Sequence, residues 1–250
     1  MRPEDRTNTL ATVMPDAGSN LSKKAQVADM FNDIAGHYDF LNHFLSLGID
    51  KGWRKKAIAE VAKVAPGKIL DVATGTGDLA IAAASLKPDQ ITGIDIAEQM
   101  LEVGRKKIAG LKLDAIISLQ SGDSEALPFA AGTFDAVTCA YGVRNFEHLE
   151  AGLREMYRVT RAGGKVVILE FSHPKKFPVK QLYRFYFKNI LPLLGKLVSK
   201  NNRAYTYLPE SVMAFPEGNV FCEMLLKCGF KNANARPLTF GITTLYTAIK

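Results

Sequence analysis

From residue 69 onward, short apolar runs alternate with amphipathic stretches, which is the pattern of alternating strands and helices. The apolar runs predict five strands and then a terminal hairpin, at 69–72, 90–96, 115–120, 134–140 and 165–171, then near 230–236 and 243–249. Between the second and third strands, Ala97–Ile108 predicts an amphipathic helix. This order predicts an α/β fold with a Rossmann-like, seven-stranded, mostly parallel sheet and an antiparallel strand in its C-terminal hairpin.

The N-terminal quarter of the chain has a different pattern. Residues 1–22 are polar and contain prolines and a glycine, which predicts a disordered tail. Residues 23–65 carry apolar residues at helical spacing and predict a helical cap at the start of a single domain spanning 23–250. Within this cap, Tyr38 and Asp39 are polar among apolar neighbours. Local capping and a position facing an active site explain them equally well.

The stretch 69–78 predicts a strand, a glycine-rich turn and the start of a helix. A helix N-terminus favours a polar or anionic ligand group, and Gly75 and Gly77 allow close approach to the backbone. Together with Ala80, these glycines satisfy the dinucleotide-binding fingerprint. However, Asp71 at the strand end favours S-adenosylmethionine, because it would attract an amino group and a sulfonium but repel a dinucleotide phosphate. A plain turn without a ligand is the third interpretation.

Polar residues also follow the next three strands. Asp95 ends the second strand, where a carboxylate can accept both hydrogen bonds of a ribose diol, although it is also placed to cap the following helix. Asp123 follows the third strand and suits the amino group of an adenine. Arg144 and Asn145 follow the fourth strand. Because ligands bind outside the carboxyl ends of strands in open α/β sheets, these two residues are expected to meet the substrate.

Composition and charge narrow the class of protein. With 250 residues, 47% apolar and 23% charged, the chain is typical of a globular domain. Its three cysteines match neither a disulfide framework nor a zinc-binding spacing, so we expect a reducing compartment and no metal site. The net charge of +7 indicates an acidic partner, either nucleic acid or anionic lipid. Neither a secretory signal nor a run of about 18–20 apolar residues is visible, which predicts a cytoplasmic, soluble or peripheral protein.

The segment 172–209 is basic and aromatic. It contains eight Lys or Arg residues interleaved with seven aromatic residues, and it contains no Asp or Glu. Such a segment suits a membrane surface, where basic side chains meet anionic lipid. It also suits an RNA-binding insertion whose aromatic side chains stack on bases. An ordinary helix face that covers the core is the third interpretation.

Several longer motifs are more specific than the glycine-rich turn. They are FNDIAGHYD at 31–39, LDVATGTGD at 70–78, EALPF at 125–129, GVRN at 142–145 and LEFS at 169–172. On these motifs the chain resembles the ubiquinone/menaquinone biosynthesis C-methyltransferase family over nearly its whole length after residue 22. The resemblance implies a class I S-adenosylmethionine-dependent methyltransferase fold, with cofactor contacts at Thr76, Asp95, Asp123 and Ser124. A further contact, a serine in some members, is Ala140 here.

The resemblance also implies the reaction. S-adenosylmethionine would methylate a ring carbon of a polyprenylated quinol in menaquinone or ubiquinone biosynthesis, with benzoquinol and naphthoquinol both left open. Arg144 is then expected to stabilise the oxyanion that forms when a ring hydroxyl loses its proton. Because an arginine stays protonated, the proton is expected to leave through Asp39, Tyr38 or a water held by Asn145. The basic segment becomes a lid that touches anionic headgroups and admits the isoprenoid tail.

The expected partners are therefore the polyprenylated quinol and an anionic membrane surface, with homodimerisation left open. No nucleic acid is expected, because no Asn-Pro-Pro-Tyr-like motif for amino methylation follows the fourth strand and no separate RNA-binding domain is evident. An RNA-binding methyltransferase on the same fold is the alternative. A dinucleotide-binding oxidoreductase is a second, less favoured alternative.

Overall fold

The computed structural model describes residues 13–39, 46, 48–185, 189 and 203–250, which form one sheet with helices on both faces. The strands are β1 (Lys68–Val72), β2 (Gln90–Asp95), β3 (Ile117–Ser121), β4 (Phe134–Ala140), β5 (Thr160–Phe171), β6 (Lys231–Leu238) and β7 (Thr243–Ile249). The helices are α1 (Lys23–Ile34), α2 (Ile49–Val61), α3 (Asp78–Ala83), α4 (Glu98–Gly110), α5 (Leu149–Val159), α6 (Val179–Phe185), α7 (Arg203–Ala214) and α8 (Asn219–Lys227). Among the short 3₁₀ turns, Val143–Asn145 and Thr239–Gly241 matter for the site and for the surface.

The sheet has the strand order β3-β2-β1-β4-β5-β7-β6, and of these described strands only β7 runs in the direction opposite to all the others. The chain starts in the middle with β1, builds outward to β3 and then crosses to β4. This reversal places a switch point between β1 and β4, where Asp71 is level with Thr138. The arrangement confirms the predicted α/β fold, including the antiparallel C-terminal strand.

The central strands are buried on both faces, which is why they appear in the sequence as unbroken apolar runs. Successive side chains of a strand point to opposite faces of the sheet. Ile69 accordingly packs with Trp53 of α2 and Leu101 of α4, whereas its neighbour Leu70 packs in the cluster that contains Leu153 of α5. The two clusters hold the sheet rigid beneath its carboxyl edge.

Helix α1 is fixed beside the start of α4, near the end of β2. The Ser22 hydroxyl caps α1 by accepting a hydrogen bond from the Ala25 N–H at 3.2 Å. Further along α1, the side-chain oxygen of Asn32 accepts a hydrogen bond from the backbone N–H of Gln99 at 2.9 Å. The bond from Gln99 holds α1 next to the residues that follow β2.

The fifth strand is longer than the sequence predicts. The apolar run predicts a strand at 165–171, whereas β5 begins at Thr160, which pairs with Phe134. A register shift follows this pair, and Gly163 lies within the shifted stretch with a φ of +72°. A positive φ is readily adopted by glycine. Because the residues before Lys165 are polar or small, they carry no apolar signal for a strand.

Part of the basic segment lies outside the described residues, namely 186–188 and 190–202. So do residues 1–12 of the predicted tail and residues 40–45 and 47 of the helical cap. The helices in the described part of the basic segment are α6 and the beginning of α7. None of the helices in the described part of the chain has both the length and the apolar character needed to cross a membrane.

Candidate active site

A cleft lies at the carboxyl ends of β1, β2, β3 and β4, next to the switch point. Its wall includes seven of the twelve site residues predicted from the sequence, namely Tyr38, Gly75, Asp95, Asp123, Ser124, Ala140 and Asn145. The other five, Asp39, Asp71, Thr76, Gly77 and Arg144, do not line it. Apolar side chains complete the wall, mainly Val27, Phe31, Ile94, Ile96 and Met100. A cleft of this mixed character suits a flat heterocycle joined to a polar sugar.

The glycine-rich turn brings backbone to the wall of the cleft. Gly75 and Gly77 adopt φ values of +56° and +79°, and the Gly77 N–H donates to the Thr74 carbonyl at 2.9 Å. A Cβ atom placed on Gly75 would lie 3.3 Å from Cε of Met100, which is also part of the wall. The turn therefore needs glycine at position 75 for its backbone conformation. A side chain at this position would fill part of the cleft beside Met100.

Asp71 lies beneath the turn and holds it from below. Its two carboxylate oxygens accept hydrogen bonds from the hydroxyls of Thr74 and Thr138, both at 2.7 Å. The side chain is fully buried, and burial raises the pKa of its carboxyl to about 6. Its direct contacts are structural, and a role toward the amino group of the cofactor stays a prediction.

Asp95 lies at the end of β2 and faces the cleft. One carboxylate oxygen accepts a hydrogen bond from the Gly75 N–H at 2.8 Å, and the other accepts from the Ala97 N–H at 2.9 Å. The N-cap residue of α4 is Ala97, with no side-chain cap, so Asp95 does not act as that cap. Burial raises the pKa of the Asp95 carboxyl. Because each carboxylate oxygen has two lone pairs, both can still accept a bond from a ribose diol.

Asp123 contacts a residue that sequence reasoning missed. Its Oδ1 accepts a hydrogen bond from the Glu125 N–H at 2.8 Å, and its Oδ2 accepts one from Nζ of Lys24 at 2.5 Å. Lys24 belongs to α1 and also lies 3.7 Å from a carboxylate oxygen of Glu125. Helix α1 is therefore joined by an ion pair to the wall of the cleft. No local signal in the sequence marks Lys24 among the other lysines.

Arg144 and Asn145 form the 3₁₀ turn after β4, and both are held firmly. The Nη1 atom of Arg144 donates to the Glu170 carboxylate at 2.8 Å and also donates to the Tyr141 carbonyl, while Nδ2 of Asn145 donates to that carbonyl at 3.4 Å. Arg144 and Glu170 are both buried, and the Phe171 ring lies 5.5 Å from the guanidinium. The turn thus places a buried ion pair directly behind the cleft.

Glu170 is the second residue that sequence reasoning missed. It is fully buried at the carboxyl end of β5, and burial raises the pKa of its carboxyl, an effect that the charge of Arg144 opposes. The signal was an acid at the end of the strand next to β4. Tyr141, between β4 and the turn, has a φ of +60°, which is uncommon for a large side chain and typical of functional turns.

Tyr38 and Asp39 have different surroundings in the structure. Tyr38 lines the cleft and packs edge-on against Phe31, whereas Asp39 does not line it. Asp39 instead accepts a hydrogen bond from the Thr76 hydroxyl at 2.5 Å and one from Nζ of Lys107 at 2.7 Å. Thr76 is buried beneath these contacts. Asp39 and Thr76 thus join the helical cap to the glycine-rich turn, and their predicted roles in proton transfer and cofactor binding stay predictions.

Lys23 lies buried beside the Arg144 turn. Its Nζ donates to the Arg144 carbonyl at 3.4 Å, and its backbone N–H donates to a carboxylate oxygen of Glu147 at 3.2 Å. Burial lowers the pKa of its ammonium to about 8. Sequence reasoning missed Lys23, because a lysine at the start of a helix gives no sign of burial.

Comparison with known proteins gives consistent matches over most of the chain. A model of the ubiE/COQ5 methyltransferase family matches residues 19–250. The demethylmenaquinone methyltransferase of Bacteroides fragilis is 52% identical over 234 residues, which cover 93% of this chain and 96% of that protein. The ubiquinone/menaquinone biosynthesis C-methyltransferase UbiE of Geotalea daltonii is 46% identical over 230 residues, which cover 91% of this chain and 97% of that protein.

Solved structures resemble the chain in fold at much lower identity. A SAM-dependent methyltransferase from Aquifex aeolicus matches with a TM-score of 0.54 at 15% identity. The match covers 77% of this chain and 88% of that methyltransferase. The [4+2]-cyclase SpnF matches with a TM-score of 0.58 at 16% identity, and the match covers 90% of this chain and 96% of the SpnF chain. Because a cyclase shares the architecture, these matches support the fold and leave the chemistry to the site.

Proposed function

Because this chain belongs to the ubiE/COQ5 methyltransferase family, and is therefore an S-adenosylmethionine-dependent methyltransferase, we propose that it methylates a ring carbon of a polyprenylated quinol. The observation that carries the proposal is the position of the Val143–Asn145 turn. Asn145 lines the cofactor cleft while Arg144 is fixed directly behind it. The similarity to a demethylmenaquinone methyltransferase favours a naphthoquinol as the acceptor.

The residues of the cleft fit the expected cofactor. Asp95 offers two carboxylate oxygens to a ribose diol, Asp123 offers one to an adenine amino group, and Gly75 leaves space beside Met100. When bound, S-adenosylmethionine supplies a methyl group that its sulfonium already activates. The protein then has to align the acceptor carbon with this methyl for in-line displacement, which is a task of positioning.

The Arg144 turn determines how a ring oxyanion would be stabilised. A ring hydroxyl must lose its proton so that the ring carbon can take the methyl as the methyl–sulfur bond breaks. That carbon then loses its own proton and the ring oxygen regains one, so one proton is released overall. Since the charge of Arg144 is already balanced by Glu170 at 2.8 Å, its contribution is a directed hydrogen bond rather than an unpaired positive charge. Tyr38 and a water held by Asn145, both at the cleft, are the proposed routes for the proton.

Turnover with two acceptor classes tests the proposal. S-adenosylhomocysteine release is measured with a long-tailed demethylnaphthoquinol and with the corresponding benzoquinol, both kept chemically reduced. The naphthoquinol should give a kcat/KM that is higher by roughly tenfold or more, the scale on which a pocket discriminates related shapes. Absence of turnover with both quinols would contradict the proposal, and methyl incorporation into RNA in a parallel reaction would favour the RNA-binding alternative.

We further propose that the enzyme meets its substrate at an anionic membrane surface. The exposed large apolar side chains of the described surface include three in the basic segment, Phe177 (81%), Leu182 (64%) and Phe185 (59%), together with Phe240 (79%). Lys176 and Lys180 are exposed among them. Apolar side chains next to basic ones are typical of surfaces that rest on anionic lipid.

Contacts between two distant segments bring Phe240 toward the others. The Ser172 N–H donates to the Ile242 carbonyl at 3.0 Å, and a Cβ atom placed on Gly241 would lie 3.6 Å from Cα of Pro174. The 3₁₀ turn that carries Phe240 therefore lies beside the start of the basic segment. Phe240 has a φ of +59°, a costly conformation for an aromatic residue, and a surface role would explain why it is kept there.

Charge reversal tests the membrane proposal. In co-sedimentation with anionic vesicles, Lys176→Glu/Lys180→Glu should lower binding by roughly 30-fold or more, because each basic residue near the surface contributes about 1 kcal/mol. Lys55→Glu/Lys56→Glu, an equal reversal on the exposed face of α2, should retain most of the binding. Binding of the wild type should weaken with added salt, since screening acts over about 8 Å. A wild type that does not sediment even at low salt would contradict the proposal.

A further inference from the structure

Three buried polar atoms near the cleft have no hydrogen-bond partner among the described residues. They are Nε of Arg144, Oδ1 of Asn145 and the hydroxyl oxygen of Tyr207. The other arms of the first two side chains are bonded, since Nη1 of Arg144 donates to Glu170 and Nδ2 of Asn145 donates to the Tyr141 carbonyl. Buried polar groups without partners are rare in folded proteins, so each one calls for an explanation.

Tyr207 lies on α7, which passes beside the Val143–Asn145 turn. The helix contacts the Val143–Asn145 turn, and the Tyr207 side chain is 3% exposed and packs with Val27 and Met30 of α1. The sequence places Tyr207 in the basic, aromatic surface segment, and the structure corrects this for the one residue by burying it. Burial raises the pKa of the Tyr207 hydroxyl, while the charge of Arg144 lowers it and the charge of Glu170 raises it.

We propose that Tyr207 is an acceptor-binding residue, whose hydroxyl joins Nε of Arg144 and Oδ1 of Asn145 in holding one ring oxygen of the quinol. This inference rests on the proposed function and adds a residue to it. Nε–H and the tyrosine O–H are two donors, and the amide oxygen is one acceptor, which is the set that a ring hydroxyl can satisfy. When that hydroxyl ionises, the two donors remain on the oxygen that gains charge.

The surroundings of Tyr207 fit a donor rather than a base. Burial raises the pKa of its phenol, so the hydroxyl keeps its proton at neutral pH. Val27 belongs both to the cleft wall and to the cluster around Tyr207, which places the tyrosine ring behind α1 and next to the cofactor site. The three groups thus lie on two elements, α7 and the 3₁₀ turn, that meet beside the cleft.

Tyr207→Phe tests the inference, with Tyr157→Phe as a matched control. The loss of one donor to a developing oxyanion should lower kcat/KM for the quinol by roughly tenfold to a hundredfold. The dissociation constant for S-adenosylhomocysteine, measured by calorimetry, should stay close to that of the wild type. The urea midpoint should not fall, because the hydroxyl that is removed has no partner in the protein. Tyr157 packs against Phe230 and does not line the cleft, so its variant should keep full activity.

The possible results separate the inference from the proposed function. If the wild type turns over the quinol and Tyr207→Phe does so equally well, the inference is overturned while the proposed function stands. A urea midpoint that falls together with activity would make the hydroxyl structural, and a parallel loss of S-adenosylhomocysteine affinity would assign it to the cofactor; either result overturns the inference. A wild type inactive on quinols would overturn the proposed function and the inference with it.

Discussion

Replacing Asp71 with asparagine should make the stability of the protein less dependent on pH. Asp71 is 1% exposed, and burial is the main cause that raises its pKa from 3.8 to about 6. A shift of this size corresponds to about 3 kcal/mol of free energy. Ionised Asp71 therefore opposes folding at neutral pH, even though two threonine hydroxyls hydrogen-bond to it.

The direction of the effect follows from the number of bound protons. At a pH between the unfolded value of 3.8 and the folded value of about 6, the folded protein holds a proton on Asp71 that the unfolded chain has released. The free energy of unfolding must then fall as the pH rises through this window. Below the window the carboxyl has no effect on stability, and above it the full penalty of about 3 kcal/mol applies.

Asparagine is a suitable replacement because the hydrogen bonds can be kept. Its amide oxygen can accept from the Thr74 hydroxyl as the carboxylate does. Its NH₂ group can donate to the Thr138 hydroxyl, which also lies 3.3 Å from the Leu70 carbonyl and can donate there instead. Asp71→Asn thus removes the charge with little change in shape.

Urea unfolding from about pH 4.5 to about pH 8 measures the effect. The free energy of unfolding of Asp71→Asn minus that of the wild type should increase as the pH rises, by up to about 3 kcal/mol. Asp114→Asn, a change on an exposed turn, serves as the control and should show no such gain. If the difference between wild type and Asp71→Asn stays constant across the range, the reasoning about the buried carboxyl is refuted.

Three further changes test the cleft. Asp95→Ala should weaken S-adenosylhomocysteine binding in calorimetry by about 2–3 kcal/mol through the loss of its bonds to the ribose, and an affinity within twofold of the wild type would remove Asp95 from the site. Gly75→Val should abolish that binding while the circular dichroism of the fold persists, and normal binding would make the turn purely structural. Arg144→Ala, made with Glu170→Gln so that no buried charge loses its partner, should lower kcat by about a hundredfold, and a parallel loss of cofactor affinity would contradict its assigned role.

The architecture and part of the cleft follow from local pattern. Strands buried on both faces leave apolar runs that alternate with amphipathic helices, and this pattern suffices for the α/β class and for the seven strands. Asp95 and Asp123 could be assigned because the carboxyl ends of parallel strands meet at one edge of the sheet. The structure brings both carboxylates to one cleft, as this rule requires.

The remaining features depend on contacts between distant parts of the chain. Lys24 meets Asp123 across 99 positions, and the sequence contains no local mark for such a pair. The sequence predicts Tyr207 at the surface, because composition describes a segment as a whole and does not distinguish its buried residues from its exposed ones. Glu170 was visible as an acid at a strand end, but its bond to Arg144 depends on the conformation of the turn after β4.

Transfer of a labelled methyl group tests the central claim most directly. The protein is incubated with S-adenosylmethionine that carries a trideuteriomethyl group and with a reduced demethylnaphthoquinol, and the product is examined by mass spectrometry and NMR. Our account predicts that the labelled methyl is found on a ring carbon of the quinol, with S-adenosylhomocysteine formed in equal amount. Label on a ring oxygen, or an unlabelled quinol in the presence of a protein that binds S-adenosylhomocysteine, would contradict it.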